Sequence, residues 1–159
     1  MIMVTTKLLT IKTREDVKRG DLLKALLQTS ADLELLFFSK LLFEKGIKKD
    51  LMNNWTLGRY IEWVSKLELI NKKYVKLLKD FNETRNIIVH GRYIIHSIEE
   101  YPTKIEYLKN MVISVCDFID STPVSHKYDQ KMEKDYAKFS EKMRKKYDKF
   151  IADVNRNSV

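Results

Sequence analysis

The chain has 159 residues and a formal net charge of +8, from 30 Lys or Arg against 22 Asp or Glu. This length suits one domain around a single core, so we expect no second independent domain. The only cysteine, Cys116, excludes an intramolecular disulfide, and no stretch approaches the ~20 apolar residues of a membrane span. The positive balance favours a polyanionic partner such as nucleic acid, although a lysine-rich solvated face explains it equally well.

The composition predicts an all-α fold. Only four glycines and two prolines occur, which leaves little turn material for many short strands. A charged stretch over residues 12–19 stands where a signal peptide would need its apolar segment. Together with the single cysteine, this stretch predicts a reducing, cytoplasmic location.

The first two predicted elements differ in how clearly they are defined. Residues 1–13 mix β-branched and apolar side chains, which fits either a short strand or an extended N-terminal arm. Residues 21–46 form a long helix, with Asp21 as a candidate N-cap and Gly46 as a C-terminal stop. Its apolar residues cover more than one stripe, so we expect this helix to be central and buried on several sides.

Three further helices complete an antiparallel four-helix bundle over about residues 20–120. Thr56 caps the second helix, in which apolar residues recur every three or four positions. The third helix covers about residues 71–90. The fourth begins at Pro102, which suits a first helical position, and ends before residues 121–123. The short connections favour antiparallel neighbours.

An additional C-terminal helix is predicted over about residues 127–154. Its apolar residues step by three or four positions: Met132, Tyr136, Phe139, Met143, Tyr147 and Phe150. Residues 127–150 also contain more Lys and Arg than acids, so this segment supplies much of the positive charge. The apolar stripe could dock on the bundle or on a second subunit, and the basic face could follow a phosphate backbone or remain solvated.

Metal and cofactor motifs are missing from the sequence. Three histidines without a cysteine pair or a His-Glu-x-x-His spacing make no recognisable zinc site. There is also no Gly-x-x-x-x-Gly-Lys loop and no Gly-x-Gly-x-x-Gly turn. We therefore predict no metal and no cofactor, and neither nucleotide hydrolysis nor dinucleotide chemistry is supported.

The third helix has a polar stripe when each residue is advanced by about 100° around the axis. The side expected to face the core contains Tyr74, Leu77, Phe81, Thr84 and Ile88. The opposite side contains Lys79, Asn82, Asn86, His90 and, if the helix continues, Tyr93. Arg85 is predicted at the flank of this stripe. Ordinary surface residues that bond locally, for example to Glu83 or Asp80, would give the same pattern.

Arg85 and His90 are five residues apart, which is about 140° around a helix. One chain would therefore bring them together only through the length of the arginine. A two-fold dimer that packs this helix on its symmetry mate would supply two Arg-Asn-His sets to one cleft. Such a cleft suits RNA cleavage, because histidine can exchange protons with the 2′-hydroxyl or 5′-oxygen and arginine matches phosphate oxygens. Near a helix C-terminus, the protonated form of His90 would also be favoured.

Residues 81–91, FNETRNIIVHG, resemble the signature helix of the HEPN superfamily. That signature is Arg, four to six residues and then His, with a polar residue, often Asn, directly after the Arg. Its position near the end of the third helix of a basic, all-α chain adds to the resemblance. Thr56-Leu57-Gly58 is also similar to many members, and the resemblance covers about residues 20–120.

The resemblance implies a function. Many such domains are metal-independent endoribonucleases that act as homodimers and leave 2′,3′-cyclic phosphates. Arg85 and His90 would then be catalytic, Asn86 would position them, and the RNA contacts would include Lys79, Asn82, Arg92 and Tyr93. Some members are toxins whose nucleotidyltransferase antitoxin modifies a tyrosine two residues after the histidine, whereas Tyr93 comes one place later.

Two other hypotheses stay open at this stage. The chain could be a non-catalytic HEPN-like module that binds RNA or nucleotide, or that scaffolds a partner nucleotidyltransferase. It could also be a purely structural protein that interacts through the stripe of its C-terminal helix.

Overall fold

A computed structural model describes residues 2–4, 7–90, 102–126 and 130–156, with side chains at residues 10–89, 104–124 and 130–153. Its elements in chain order are β1 (Ile2–Val4), α1 (Lys7–Lys18), α2 (Leu22–Ser39), α3 (Leu57–Lys66), α4 (Val75–His90), α5 (Pro102–Asp120), β2 (Val124–His126) and α6 (Gln130–Arg156). A π-helical turn, Lys40–Glu44, extends α2, and 3-10 turns cover Lys49–Met52 and Lys72–Tyr74. The predicted helical class is confirmed.

The N-terminal segment differs in part from the prediction. Residues Ile2–Val4 form a strand that pairs antiparallel with β2, with Met3 opposite Ser125. From Lys7 onward the chain is helical, so the prediction of a strand or extended arm is wrong for residues 7–13. Tertiary contacts override the low helix propensity of the β-branched residues, because Thr10 is buried and its Oγ1 donates to Asp120 Oδ1 at 2.6 Å.

Helix α2 is the central element, as predicted, and it contacts each of the other five described helices. Four apolar side chains along α2 and its π-helical turn are entirely buried: Leu33, Phe37, Phe38 and Leu41. The segment ends at Gly46, whose φ of +66° is a left-handed conformation that glycine adopts without a steric penalty. The predicted stop at Gly46 is therefore confirmed.

Helix α6 docks its apolar stripe on α2 of the same chain. The rings of Phe139 and Phe38 are stacked, with centroids 3.9 Å apart and an interplanar angle of 6°. Met143, one turn later, is also buried. The sequence left open whether this stripe docks on the bundle or on a second subunit. In the structure it contacts α2 of the same chain. No helix among the described residues is long and apolar enough to cross a membrane.

Helices α3 and α4 approach each other closely at a glycine. Thr56 caps α3 as predicted, since its Oγ1 accepts from the Arg59 N–H at 3.3 Å. A Cβ added at Gly58 would lie only 3.1 Å from Asn82 Nδ2. The first turn of α3 therefore lies directly against the middle of α4.

A buried carboxyl group lies on α2. Asp32 is only 3% exposed, and Gln28 Nε2 donates to its Oδ1 at 2.9 Å. Its Oδ2 is buried without a hydrogen-bond partner among the described residues. Burial raises the pKa of Asp32 to about 7, and the charge of Asp120 adds to this effect.

We expect the stability of the protein to fall between about pH 4 and pH 7 because of Asp32. The folded chain keeps a proton on Asp32 up to about pH 7, whereas the unfolded chain releases it near pH 4. The free energy of unfolding therefore decreases as the pH rises through this window. In Asp32→Asn, which keeps the acceptor for Gln28, most of this decrease, about 4 kcal/mol, should disappear in urea titrations. The exposed Asp50→Asn is the control, and an unchanged pH dependence in Asp32→Asn would contradict the assignment.

Candidate functional site

The predicted motif, residues 85–90, forms the last turn and a half of α4. The buried face of this helix is defined by Leu78, Phe81 and Ile88. Exposed positions on the other side are Lys76, Lys79, Glu83 and Ile87. The motif is therefore helical. The buried face includes Leu78, however, whereas the sequence projection had placed Leu77 and Thr84 toward the core.

Arg85 points inward rather than lying at the flank of an outward stripe. It follows Leu78 by seven residues and so lies within about 20° of that fully buried position. Its side chain is half-buried, and its Nη1 donates to Asn86 Oδ1 at 3.0 Å. Its Nε is buried without a hydrogen-bond partner among the described residues. Arg85, on the inner side of α4, is thus joined directly to Asn86 by a hydrogen bond.

Arg85 lines a small pocket between α2, α4 and α6. The pocket has about 20 Å³ of space for water-sized molecules, so it is a narrow cavity rather than a ligand cleft. Its lining residues are Leu27, Ser30, Ala31, Glu34, Arg85, Met143, Lys146, Tyr147 and Phe150. Ser30 Oγ and Tyr147 OH, like Arg85 Nε, are buried without a hydrogen-bond partner in the described part of the chain.

Glu34 is the acidic group of this pocket, and it is only 4% exposed. Burial raises its pKa, and the positive charges of Lys146, Arg85 and Lys142 lower it again in part. Lys146 Nζ lies 3.9 Å from Glu34 Oε2, with about half of its side chain exposed. The charge of Arg85 therefore acts on a buried carboxyl group of the same chain.

The other predicted site residues differ in how far they are exposed to solvent. Asn82 and Asn86 are half-buried, with Asn82 against Gly58, while Lys79 is exposed. His90 is the last residue of α4, about 140° around the axis from Arg85. The side chain of His90, together with Arg92 and Tyr93, lies outside the described residues. The structure thus brings Arg85 and Asn86 together. It keeps Lys79, Asn82 and Asn86 on one side of α4, where their exposure ranges from half-buried to exposed.

Sequence reasoning missed Glu34, Lys146 and Tyr147 as neighbours of Arg85. A signal for Glu34 was available, because it is a lone acid inside the apolar run of residues 33–38. Tyr147 belongs to the apolar stripe that was predicted, but its position beside α4 depends on how α6 crosses α2. Within the described ranges, no three His, Cys, Asp or Glu side chains are grouped so that they could hold a metal ion.

Comparison with protein-family models, with curated proteins and with solved structures finds no significant match for this chain.

We expect Lys146→Ala to destabilise the protein more at pH 8 than at pH 4.5. Lys146 favours the charged form of Glu34, so its removal raises the pKa of that buried carboxyl group further. A raised folded-state pKa lowers stability as the pH increases above the unfolded value. The loss should be about 1 kcal/mol at pH 8 in urea titrations, since the pair is half-exposed.

Lys145→Ala is the matched control, because Lys145 is largely exposed and lies 3.9 Å from the exposed Glu141. It should change stability by less than about 0.5 kcal/mol at either pH. Equal effects of the two substitutions would contradict the role assigned to Lys146.

Proposed function

We propose that this chain is a metal-independent endoribonuclease with a HEPN-like fold, acting as a toxin or defence effector in the cytoplasm. In this proposal α2 to α5 form an antiparallel four-helix bundle, to which α1 and α6 are added. The observation that carries the proposal is the Arg85–Asn86 pair near the end of α4, with His90 as the last residue of that helix. The formal charge of +8 supports RNA as the substrate.

The proposed reaction is an internal transesterification of RNA. The 2′-oxygen forms a bond to phosphorus as the bond from phosphorus to the 5′-oxygen breaks, which leaves a 2′,3′-cyclic phosphate and a 5′-hydroxyl. His90 takes the proton from the 2′-hydroxyl or gives one to the 5′-oxygen. Arg85 stabilises the charge on the phosphate oxygens, and Asn86 orients Arg85 through their hydrogen bond. Lys79, Asn82, Arg92 and Tyr93 are the proposed RNA contacts.

A homodimer is part of the proposal. Arg85 faces the pocket beside Glu34, and position 90 is about 140° further around the helix. A facing subunit can supply the missing group of each pair. The exposed Ile87, at 54%, and Tyr107, at 57%, are apolar side chains on α4 and α5 that such an interface could cover.

The half-burial of Arg85 favours a second candidate function. The guanidinium bonds to Asn86 and acts on the charge of Glu34, and both interactions give it a structural role. A guanidinium engaged in this way is less available to contact a substrate. The alternative is a non-catalytic HEPN-like module that binds RNA or nucleotide. Such a module could instead scaffold a partner such as a nucleotidyltransferase antitoxin or another regulatory protein.

Cleavage of single-stranded RNA in excess EDTA tests the enzymatic proposal. We expect wild-type protein to cut RNA and to leave 2′,3′-cyclic phosphate ends, as read from gels and phosphatase sensitivity. Arg85→Ala and His90→Ala should each lower the cleavage rate by at least about 100-fold, because each removes charge stabilisation or proton transfer.

Lys18→Ala, an exposed substitution on α1, is the control and should cleave at the wild-type rate. Circular dichroism should confirm that each variant is folded. Full activity in both Arg85→Ala and His90→Ala would refute the proposed mechanism. RNA binding without cleavage by the wild type would favour the second candidate.

Subunit mixing tests whether each site needs two chains. Co-expression of Arg85→Ala and His90→Ala subunits should restore about a quarter of wild-type activity, because half of the dimers are mixed and one of their two sites is complete. Differently tagged subunits allow the mixed dimer to be purified and assayed alone. Inactive mixed dimers, or a monomer at micromolar concentration, would contradict the composite site.

A further inference from the structure

The two tryptophans of the chain lie side by side, with Trp55 just before α3 and Trp63 in its second half. Trp55 and Trp63 are stacked, with ring centroids 5.5 Å apart and an interplanar angle of 21°. The ring of the buried Tyr60 meets Trp55 at 5.5 Å with an angle of 64°. Both indoles are only half-buried, so a rigid pair of aromatic rings reaches the surface.

Each indole carries an exposed cation. The guanidinium of Arg59 lies 5.3 Å from the centroid of the Trp55 ring, and Lys66 Nζ lies 5.6 Å from that of Trp63. Residues 59, 63 and 66 follow at spacings of four and three, so they share one face of α3. We call Trp55, Arg59, Trp63 and Lys66 the indole platform.

Cation–π pairs also occur on surfaces with no ligand, where they contribute about 0.5–1 kcal/mol each. Two features distinguish the indole platform from that case. Its indoles form a stacked pair, and neither Arg59 nor Lys66 takes part in a salt bridge within the described ranges. A third cation lies nearby, because Lys142 Nζ donates to the backbone oxygen of Asn53 at 2.9 Å. The platform therefore combines aromatic surface with two cations, Arg59 and Lys66, that form no salt bridge in the described part of the chain.

The indole platform belongs to the segment that packs against the proposed catalytic helix. Gly58, one residue before Arg59, is the point at which α3 approaches Asn82 on α4. Asn82 precedes Asn86 by one helical turn, about 6 Å along the axis. A strand held on the platform would therefore be within reach of α4 and its motif.

We propose that the indole platform binds single-stranded RNA, with bases stacked on the indoles and phosphates held by Arg59 and Lys66. This inference rests on the proposed function, because RNA is taken as the substrate. Aromatic surface flanked by cations is the chemistry of single-strand recognition, since every base has a π-face and every linkage an anion. An acidic peptide would use the cations alone, and paired bases in a duplex could not reach the rings.

Intrinsic fluorescence can test the platform directly, because the chain's two tryptophans are both within it. The probe is a short single-stranded 2′-O-methyl RNA, which lacks the attacking hydroxyl and so separates binding from cleavage. We expect it to quench the fluorescence of the wild type, whereas a duplex of the same sequence and a poly-glutamate peptide should not. Trp63→Leu should weaken binding about tenfold, and Trp63→Phe should weaken it less.

Salt dependence provides a second measurement that does not alter the aromatic stack. Arg59→Ala and Lys66→Ala should each reduce the slope of log affinity against log salt by about 0.7, as expected for one phosphate contact on a single strand. Lys18→Ala should leave the slope unchanged. Both surface variants should fold normally, so this test remains decisive if Trp63→Leu is unstable.

Wild-type affinity and slope in Trp63→Leu, Arg59→Ala and Lys66→Ala would overturn the indole platform, as would equal quenching by duplex or peptide. The result for the platform can be distinguished from the result for the proposed endoribonuclease activity. The uncleavable probe reports binding alone and the EDTA assay reports cleavage, so failure of one proposal does not decide the other. Quenching in a wild-type protein that cuts no RNA would retain the platform and reject the catalytic proposal.

Discussion

Helix α2 must be covered on most of its circumference, and this constraint organises the rest of the molecule. Apart from its first two residues, only a stripe through residues 24, 28, 31 and 35 is partly exposed, and Leu33, Phe37 and Phe38 have no contact with solvent. Every other described helix packs against it. Because two carboxyl groups, Asp32 and Glu34, are buried along with these apolar residues, the elements that cover α2 must also accommodate their charge.

The two buried acids are accommodated differently. Asp32 is held by Gln28 within α2, and its high pKa favours the neutral form near pH 7. Glu34 instead faces the cations Lys146 on α6 and Arg85 on α4, which favour its charged form. The docking of α6 through Phe139 therefore has an electrostatic consequence as well as an apolar one. It encloses the guanidinium of the motif in a narrow pocket with a carboxyl partner.

The close approach of α3 and α4 relates the two surfaces that we propose for RNA. Because Gly58 has no side chain, the first turn of α3 can lie against Asn82. The indole platform is therefore carried by a helix that packs against α4, on which Asn86 lies. In this proposal α3 binds the RNA and α4 cleaves it. Arg59 and Lys66 contact phosphates at the surface, whereas Arg85 is held by its neighbours in the pocket.

The sequence by itself determined the local features of this protein. Helical class, the cap at Thr56, the stop at Gly46 and the apolar stripe of the last helix follow from composition, period and capping chemistry within a few residues. The tertiary structure decided which face of each helix is buried. Residues 7–13 became helical because Thr10 and Arg14 bond to α5, and Arg85 turned inward because Leu78, only about 20° away around α4, is buried in the core. The periodicity of a helix orders its side chains around the axis, but only the elements packed against it determine which of them are buried.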